Sequence, residues 1–217
     1  MLSPRIVIFD LDGTLVEFPK HYLFTELERI LPLVQVSVPE RHVIEHHFSD
    51  FDFFGFAEPD LQQHVTNTFW HHFNWEQFPP SQLFSFTHSI LNKLKQNNIS
   101  SAIATARCCP HQELITDVEK TGILGFFNYI ELRKEQTEDW KDKRPQIERI
   151  LHASSCDPKD AIMVGDIPAD IESAKLCGLG GSVAVLSGGI KEEVLKSYQP
   201  DFIIPDVSFL EKLIRSL

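Results

Sequence analysis

The sequence has no apolar run long enough to cross a membrane, which takes about 20 consecutive residues. Its longest N-terminal apolar run, Ile6 to Phe9, is too short for the core of a signal peptide and ends at an acid. The sequence also has no CxxC pair, so a zinc knuckle is disfavoured and the cysteines are expected to be reduced thiols. Together these absences predict a cytoplasmic protein without a membrane partner.

Basic side chains are scarce as well, because 20 lysines and arginines stand against 31 aspartates and glutamates, for a formal net charge of -11. A general nucleic-acid binder needs a basic surface to meet phosphates, so that class of function is disfavoured. A small anionic substrate stays compatible with this charge, because a bound cation and one or two lysines can reverse the local field.

Short runs rich in β-branched residues alternate with helical patterns over most of the chain. The predicted strands are Arg5–Phe9, Ser100–Thr105, Asn128–Leu132, Ala161–Val164, Ser182–Leu186 and Phe202–Ile204. Apolar residues at helical spacing lie between several of them, as at Ile90, Leu91 and Leu94. This alternation predicts an α/β fold in which a parallel sheet carries helices on both faces. In such sheets the ligand site lies at the carboxyl ends of the strands.

Residues 16–82 differ from the rest of the chain, because only helical patterns occur there. Apolar side chains recur at helical spacing from Leu23 to Leu31 and from Leu61 to Phe73, with Asp60 as the expected N-cap. Pro79-Pro80-Ser81 is typical of a linker. We therefore predict a core formed by residues 1–15 and 83–217 and a small helical cap formed by residues 16–82.

Two acids follow the first predicted strand, in the segment Asp10-Leu11-Asp12-Gly13-Thr14-Leu15. Asp10 is expected at the carboxyl end of the strand, and Asp12 is close enough for both carboxylates to reach one pocket. Gly13 permits a sharp departure of the backbone. Two close carboxylates repel each other, and a divalent cation such as Mg²⁺ relieves that repulsion.

Two further acids follow the fourth predicted strand, in Gly165-Asp166-Ile167-Pro168-Ala169-Asp170. Parallel strands end at the same edge of the sheet, so Asp166 and Asp170 are expected near Asp10 and Asp12. Four acids at strand ends indicate a site for a hard cation, although helix capping is the structural alternative for Asp166 and Asp170.

A hydroxyl and a lysine complete the set of candidate site residues. Thr105 ends the second predicted strand, where its hydroxyl and the following backbone N–H groups can hold phosphate oxygens. Lys143 precedes a predicted helix and can offset charge at a phosphoryl site. Lys141 is the alternative for this lysine.

The four segments, read in order, resemble the four motifs of the haloacid dehalogenase superfamily. The insert after the first motif resembles the cap of the branch that contains phosphoglycolate phosphatases and β-phosphoglucomutases. The resemblance implies a Rossmann-like core and a Mg²⁺-dependent phosphatase that acts on a small phosphorylated metabolite. True dehalogenases of this superfamily lack an acid at the position of Asp12, and phosphonate-cleaving relatives have alanine there, so both readings are disfavoured.

The resemblance also implies a role for each residue. Asp10 is expected to be the nucleophile that forms an aspartyl-phosphate, and Asp12 to exchange protons with the leaving group and with water. Thr105, the backbone of Ala106 and Lys143 are expected to bind the phosphoryl oxygens. The expected metal ligands are Asp10, the backbone carbonyl of Asp12, Asp166 and Asp170, the last of which is alternatively a partner of Lys143.

Several alternatives stay open at the level of the sequence. A phosphomutase shares the architecture, and a non-catalytic binding protein can keep the fold. His42-Val43-Ile44-Glu45-His46 matches the H-x-x-E-H pattern of one class of zinc protease, but this short pattern has no marked third ligand. The sequence does not identify the phosphate ester, the cap residues that face it, or the oligomeric state.

Overall fold

The computed structural model describes residues 2–134 and 139–215 and contains a six-stranded, all-parallel sheet. The strands are β1 (Ile6–Phe9), β2 (Ser100–Thr105), β3 (Phe127–Leu132), β4 (Ala161–Gly165), β5 (Gly181–Val185) and β6 (Phe202–Ile204). Their order across the sheet is β3-β2-β1-β4-β5-β6. The six predicted strands are confirmed, with ends that shift by one residue at most.

Eight α-helices of the described residues accompany the sheet or form the insert. They are α1 (Lys20–Ile30), α2 (Arg41–Ser49), α3 (Pro59–His72), α4 (Thr87–Gln96), α5 (His111–Lys120), α6 (Arg144–Ser154), α7 (Pro168–Leu176) and α8 (Glu192–Ser197). Short 3₁₀ segments lie at Leu31–Val34, Trp75–Gln77, Leu124–Phe126, Pro158–Asp160 and Val207–Lys212.

Each face of the sheet is covered by its own helices, because successive side chains of a strand point to opposite faces. On one face, Val7 and Phe9 of β1 belong to the apolar cluster that includes residues of α4 and α5. On the other, Ile6 and Ile8 belong to the cluster that includes residues of α6 and α7. The predicted α/β class, a Rossmann-like sheet with helices on both sides, is confirmed.

The chain divides into two compact units, Met1–Phe18 with Pro80–Leu217 and Pro19–Pro79. The predicted boundaries, at 15/16 and 82/83, differ from these by three residues at each crossing. The reason is backbone pairing: Val16 forms an antiparallel bridge with Leu83, and the Glu17 N–H donates to the Gln82 carbonyl at 2.8 Å. These bonds attach residues 16–18 and 80–82 to the sheet-containing unit.

The unit Pro19–Pro79 contains the helices α1, α2 and α3, all within a stretch that the sequence indicated as helical only. Its interior is formed by apolar side chains such as Leu27, Ile30 and Phe69. Asp60 is not the N-cap of α3, because the helix begins at Pro59 and its N-cap is Glu58, two residues before Asp60. Proline is favoured at a first helical position, where its missing N–H would have had no partner.

Within the described residues, no helix combines the length and apolar character needed to traverse a bilayer.

Candidate active site

The strand order brings the first and fourth motifs together at one edge of the sheet. β1 pairs with β2 on one side and with β4 on the other, so the direction of strand addition reverses at β1. Asp10 follows β1, and its N–H donates to the carbonyl of Val164 in β4 at 2.9 Å. Asp166 follows β4 by one residue. This is the topological switch point where ligands bind in open α/β sheets.

Three carboxylates and one ammonium group form the centre of the site. Asp10, Asp166 and Asp170 each place one carboxylate oxygen within 4.8 Å of the others. The Lys143 ammonium lies 2.7 Å from Asp10 Oδ1 and 2.6 Å from Asp170 Oδ1. All four side chains are buried, and Lys143 is fully so. With every group ionised, the centre carries two negative charges in excess.

This excess of buried negative charge perturbs the acids. Burial raises the pKa of Asp10 from 3.8 to about 7, and the charge of Asp170 adds to the effect while Lys143 opposes it. Burial, together with the charges of Asp10 and Asp170, raises the pKa of Asp166 well above its ordinary value. For Lys143, burial favours the neutral amine, but Asp10 and Asp170 outweigh it and raise the pKa of the ammonium. The centre therefore holds a lysine whose charged form is stabilised beside two acids, Asp10 and Asp166, whose charged forms are disfavoured.

The close approach of two backbone segments confines the Asp166 carboxylate. Thr14, which is fully buried, donates its hydroxyl to Asp166 Oδ1 at 3.1 Å. Gly13 has φ +80°, and a Cβ atom there or at Gly188 would collide with the Asp166 carboxylate. The Ser187 hydroxyl, next to Gly188, donates to the Gly13 carbonyl at 2.6 Å. Asp166 is thus held by one hydrogen bond and lies close against the backbone at Gly13 and Gly188.

The structure separates the two candidate lysines. Lys143 stands at the N-cap position of α6, where its N–H donates to the Ser173 hydroxyl at 3.0 Å and its ammonium reaches the acids. Lys141 is exposed, and its ammonium lies 5.3 Å from the centre of the Trp140 ring. Lys143 is therefore the lysine that the fold brings to the site.

Thr105 lies at the carboxyl end of β2 and is 1% exposed. Its hydroxyl accepts the N–H of Arg107 at 3.2 Å, and its carbonyl accepts the amide of Gln146 at 3.3 Å. Ala106 follows in the loop and is partly exposed. The second motif is thus placed on the strand beside β1, at the same edge as Asp10.

Asp12 has different surroundings from the three clustered acids. Its two carboxylate oxygens accept hydrogen bonds from Nε and Nη2 of Arg107, each at 2.7 Å. The carboxylate is therefore not a member of the three-acid cluster. The metal contact expected of Asp12 is through its backbone carbonyl and stays a prediction.

Sequence reasoning missed Arg107, Thr14, Ser187 and Gly188. A usable signal existed for all four, because they stand within a few residues of the carboxyl ends of β1, β2 and β5, where the site was expected. Thr14 is part of the first motif, and Ser187 and Gly188 follow the fifth predicted strand.

The donor set of the centre fits a magnesium ion. Carboxylate oxygens are the ligands that this ion prefers, and its charge would compensate the excess of two negative charges. Among residues 2–134 and 139–215, no other group of three His, Cys, Asp or Glu side chains has metal-ligand spacing. The H-x-x-E-H pattern at 42–46 thus forms no such group.

A family model and relatives of known name both match most of this chain. The family model "Haloacid dehalogenase-like hydrolase" matches residues 7–184. Pyrophosphatase PpaX from Bacillus pumilus is 27% identical over 214 residues, which cover 96% of this chain and 95% of that protein. Pyrophosphatase PpaX from Oceanobacillus iheyensis is 24% identical over 208 residues, covering 95% and 94%.

Solved structures share the fold over nearly the whole chain. A predicted phosphatase from Clostridium acetobutylicum superimposes with a TM-score of 0.76 at 20% identity, covering all of both chains. A haloacid dehalogenase-like family hydrolase from Streptococcus pneumoniae has a TM-score of 0.74 at 22% identity, covering 98% of this chain and 100% of that one. At these identities the likeness concerns the fold alone.

Proposed function

We propose that this chain, which belongs to the haloacid dehalogenase-like hydrolase family, hydrolyses a small phosphate ester. In the proposed reaction, the Asp10 carboxylate attacks phosphorus. The family resemblance read from the four motifs is confirmed, whereas the reaction and the residue roles are our proposal. The observation that carries it is the buried Asp10, 2.7 Å from the Lys143 ammonium in a centre where acids outnumber cations.

The proposed chemistry begins with Asp10. One Asp10 oxygen bonds to phosphorus as the bond to the leaving-group oxygen breaks, which yields an aspartyl-phosphate. Asp12 supplies a proton to the leaving group, then takes one from the water that releases phosphate from Asp10. Lys143, the Thr105 hydroxyl and the backbone of Ala106 bind the phosphoryl oxygens.

Asp10, Asp166 and Asp170, with the backbone carbonyl of Asp12, would hold Mg²⁺. Bound there, the ion would neutralise negative charge on the phosphoryl group, which is the main electrostatic demand of phosphoryl transfer. Asp170 also accepts the Lys143 ammonium at 2.6 Å and the N–H of Ile167 at 3.1 Å. Both roles considered for Asp170, as a ligand and as a support for Lys143, are compatible with its position.

We assign substrate choice to the helical insert, as a cap, and catalysis to the sheet-containing unit. The substrate is proposed to be a small phosphorylated metabolite, and the expected cytoplasmic location stays a prediction. A second candidate substrate is pyrophosphate, favoured by the two relatives named pyrophosphatase, which align with nearly the whole chain. In that case the leaving group is itself a phosphate.

The test is phosphate release from an aryl phosphate, small phosphate esters and pyrophosphate, with Mg²⁺ and with a chelator. We expect Mg²⁺-dependent turnover that falls by about 10⁴-fold or more in Asp10→Asn. The matched control is Asp160→Asn, because Asp160 is half-exposed just before β4, at its amino end, and its carboxylate lies 3.9 Å from the Arg5 guanidinium. Equal activity in wild type and Asp10→Asn would contradict the mechanism, and a wild type inert on every compound would contradict the function.

Conversion of a sugar phosphate to its isomer without phosphate release would indicate the mutase.

A further inference from the structure

Arg107 is the centre of a second polar cluster, adjacent to the three acids but distinct from them. Its side chain is only 5% exposed. The guanidinium donates to both Asp12 oxygens at 2.7 Å, to Asp117 Oδ2 at 2.7 Å and to the Ser81 hydroxyl at 2.9 Å. A buried arginine with this many directed bonds has a single orientation.

The contact between Arg107 and Asp12 is bidentate, so it sets the orientation of the carboxylate as well as its distance. Two N–H groups of one planar guanidinium meet two oxygens of one carboxylate, which sets the plane and the direction of the Asp12 side chain. Lysine has no such fork and holds a carboxylate as a point charge only. The residue type at position 107 therefore determines how strictly Asp12 is oriented.

Arg107 is in turn anchored by hydrogen bonds to Asp117 and Ser81, in addition to those that it donates to Asp12. Asp117, on α5, accepts the Ser81 N–H at 3.0 Å and the Ser81 hydroxyl at 2.6 Å in addition to Arg107. Burial would raise the pKa of Asp117, but the hydrogen bonds from Ser81 and Arg107 outweigh it and lower the pKa. Ser81 stands two residues after the helical unit ends at Pro79.

The backbone of Arg107 is bonded to Thr105, which is proposed to bind phosphoryl oxygens. Its N–H donates to the Thr105 hydroxyl at 3.2 Å, and its carbonyl accepts the N–H of Arg133 at 3.2 Å. One residue thus joins Thr105, Asp12 and the segment at Ser81 into a continuous set of hydrogen bonds.

We propose that Arg107 is a positioning residue that holds the Asp12 carboxylate in the orientation needed for proton exchange with water during release of phosphate from Asp10. The inference rests on the proposed function. In the step concerned, a water oxygen bonds to phosphorus, its proton passes to Asp12, and the bond between phosphorus and the Asp10 oxygen breaks. Asp117 and Ser81 hold Arg107 and act on this step through it.

The test uses an aryl phosphate, whose leaving group needs little protonation. The rate at which the variants form the phosphorylated enzyme should therefore stay close to that of wild type. The steady-state fraction of phosphorylated Asp10 is measured by rapid quenching of full-length protein, together with turnover. In Arg107→Lys we expect turnover to fall by about 10- to 100-fold, because a displaced catalytic group loses efficiency steeply. The phosphorylated fraction should rise at least about threefold, as should that of Asp12→Asn, in which the proton acceptor is lost.

Two further variants make the test specific. Asp117→Asn keeps the shape of the anchor and should give a smaller rise in the phosphorylated fraction. Adding Arg107→Lys to Asp12→Asn should cause no further rise, because residues that act through one another are not additive. Arg149→Lys is the matched control, since Arg149 is a half-buried arginine of the same unit that bonds Glu131 and the Leu132 carbonyl.

A structural role alone would lower turnover in Arg107→Lys without raising the phosphorylated fraction, and that result would overturn the inference while the proposed function stands. A higher KM with no accumulation would overturn it as well, because Arg107 would then be a substrate contact. If wild type released no phosphate and no variant could be phosphorylated, the proposed function and the inference would fall together.

Discussion

Asp10 and Asp12 are two residues apart in the chain, yet their carboxylates belong to clusters of opposite character. Around Asp10, three buried acids share one lysine, and burial raises the pKa of Asp10 to about 7. Around Arg107, two acids and a serine surround one arginine, and the pKa of Asp117 is lowered. The first cluster has two negative charges in excess, which a cation would relieve, whereas the second has one, and its two acids accept hydrogen bonds from Arg107 and Ser81. The acids proposed to hold a metal ion thus form a different cluster from the residues proposed to orient Asp12.

The largest effect is expected where the Asp10 cluster loses its lysine. Lys143→Ala should destabilise the protein by about 3 to 5 kcal/mol, because removal of one partner leaves buried carboxylates uncompensated. It should also abolish measurable phosphate release. Lys141→Ala, at the exposed alternative position, should change neither quantity. Urea unfolding and the phosphate assay provide the measurements, and equal effects of the two substitutions would contradict the assignment of Lys143.

The next effect concerns pH and follows from the raised pKa of Asp10. Between its ordinary value of 3.8 and about 7, the folded protein keeps a proton that the unfolded chain has released. The contribution of Asp10 to stability therefore falls as pH rises through this window, by an amount on the order of 3 kcal/mol.

Asp10→Asn removes this titration, so its free energy of unfolding should decline less between pH 4 and 7 than that of wild type. The measurement is urea unfolding at several pH values in the presence of a chelator. Only the difference between the two proteins is compared, since other carboxyl groups are common to both. Parallel curves for the two proteins would show that Asp10 titrates at its ordinary pKa.

A smaller effect is expected from crowding the Asp166 carboxylate. Gly188→Ala places a methyl group against this carboxylate and should cost about 2 kcal/mol, since overpacking forces neighbouring atoms to shift. It should also weaken the stabilisation of the fold by Mg²⁺ in thermal melts. Gly125→Ala is the control, because a Cβ atom there meets nothing within 4 Å. If both variants had the melting temperature of wild type with and without Mg²⁺, the close packing around Asp166 would contribute nothing to stability or to Mg²⁺ binding.

The smallest effect should come from the edge of the Arg107 cluster. Ser81→Ala removes the hydroxyl that lies 2.6 Å from Asp117 and 2.9 Å from Arg107, at a cost of about 1 kcal/mol. Ser197→Ala, which removes an exposed hydroxyl bonded to the Val194 carbonyl, should be close to neutral. Chemical unfolding compares the two, and a larger loss in Ser197→Ala would reverse the ranking.

The six strands could be predicted because each is a short apolar run between helical patterns. The proximity of Asp10, Asp166 and Asp170 could be predicted because these acids stand next to strand ends. Local pattern carries this information, since a parallel sheet brings all its carboxyl ends to one edge. The predicted N-cap of α3 was wrong, and the boundaries of the two compact units lie three residues from the predicted ones. They depend on a proline at the first helical position and on the pairing of Val16 with Leu83, which is distant in the chain.

The sequence by itself determined the α/β class, the order of the four motifs and the family, because these depend on residue types at short spacing. Only the tertiary structure decided between Lys143 and Lys141 and brought Arg107 to both carboxylate oxygens of Asp12. The physical reason is that a carboxylate is oriented by whichever cation is brought to it. The partners of Asp10 and Asp12 come from segments about 95 to 160 residues away, a separation at which spacing in the chain says nothing about contact.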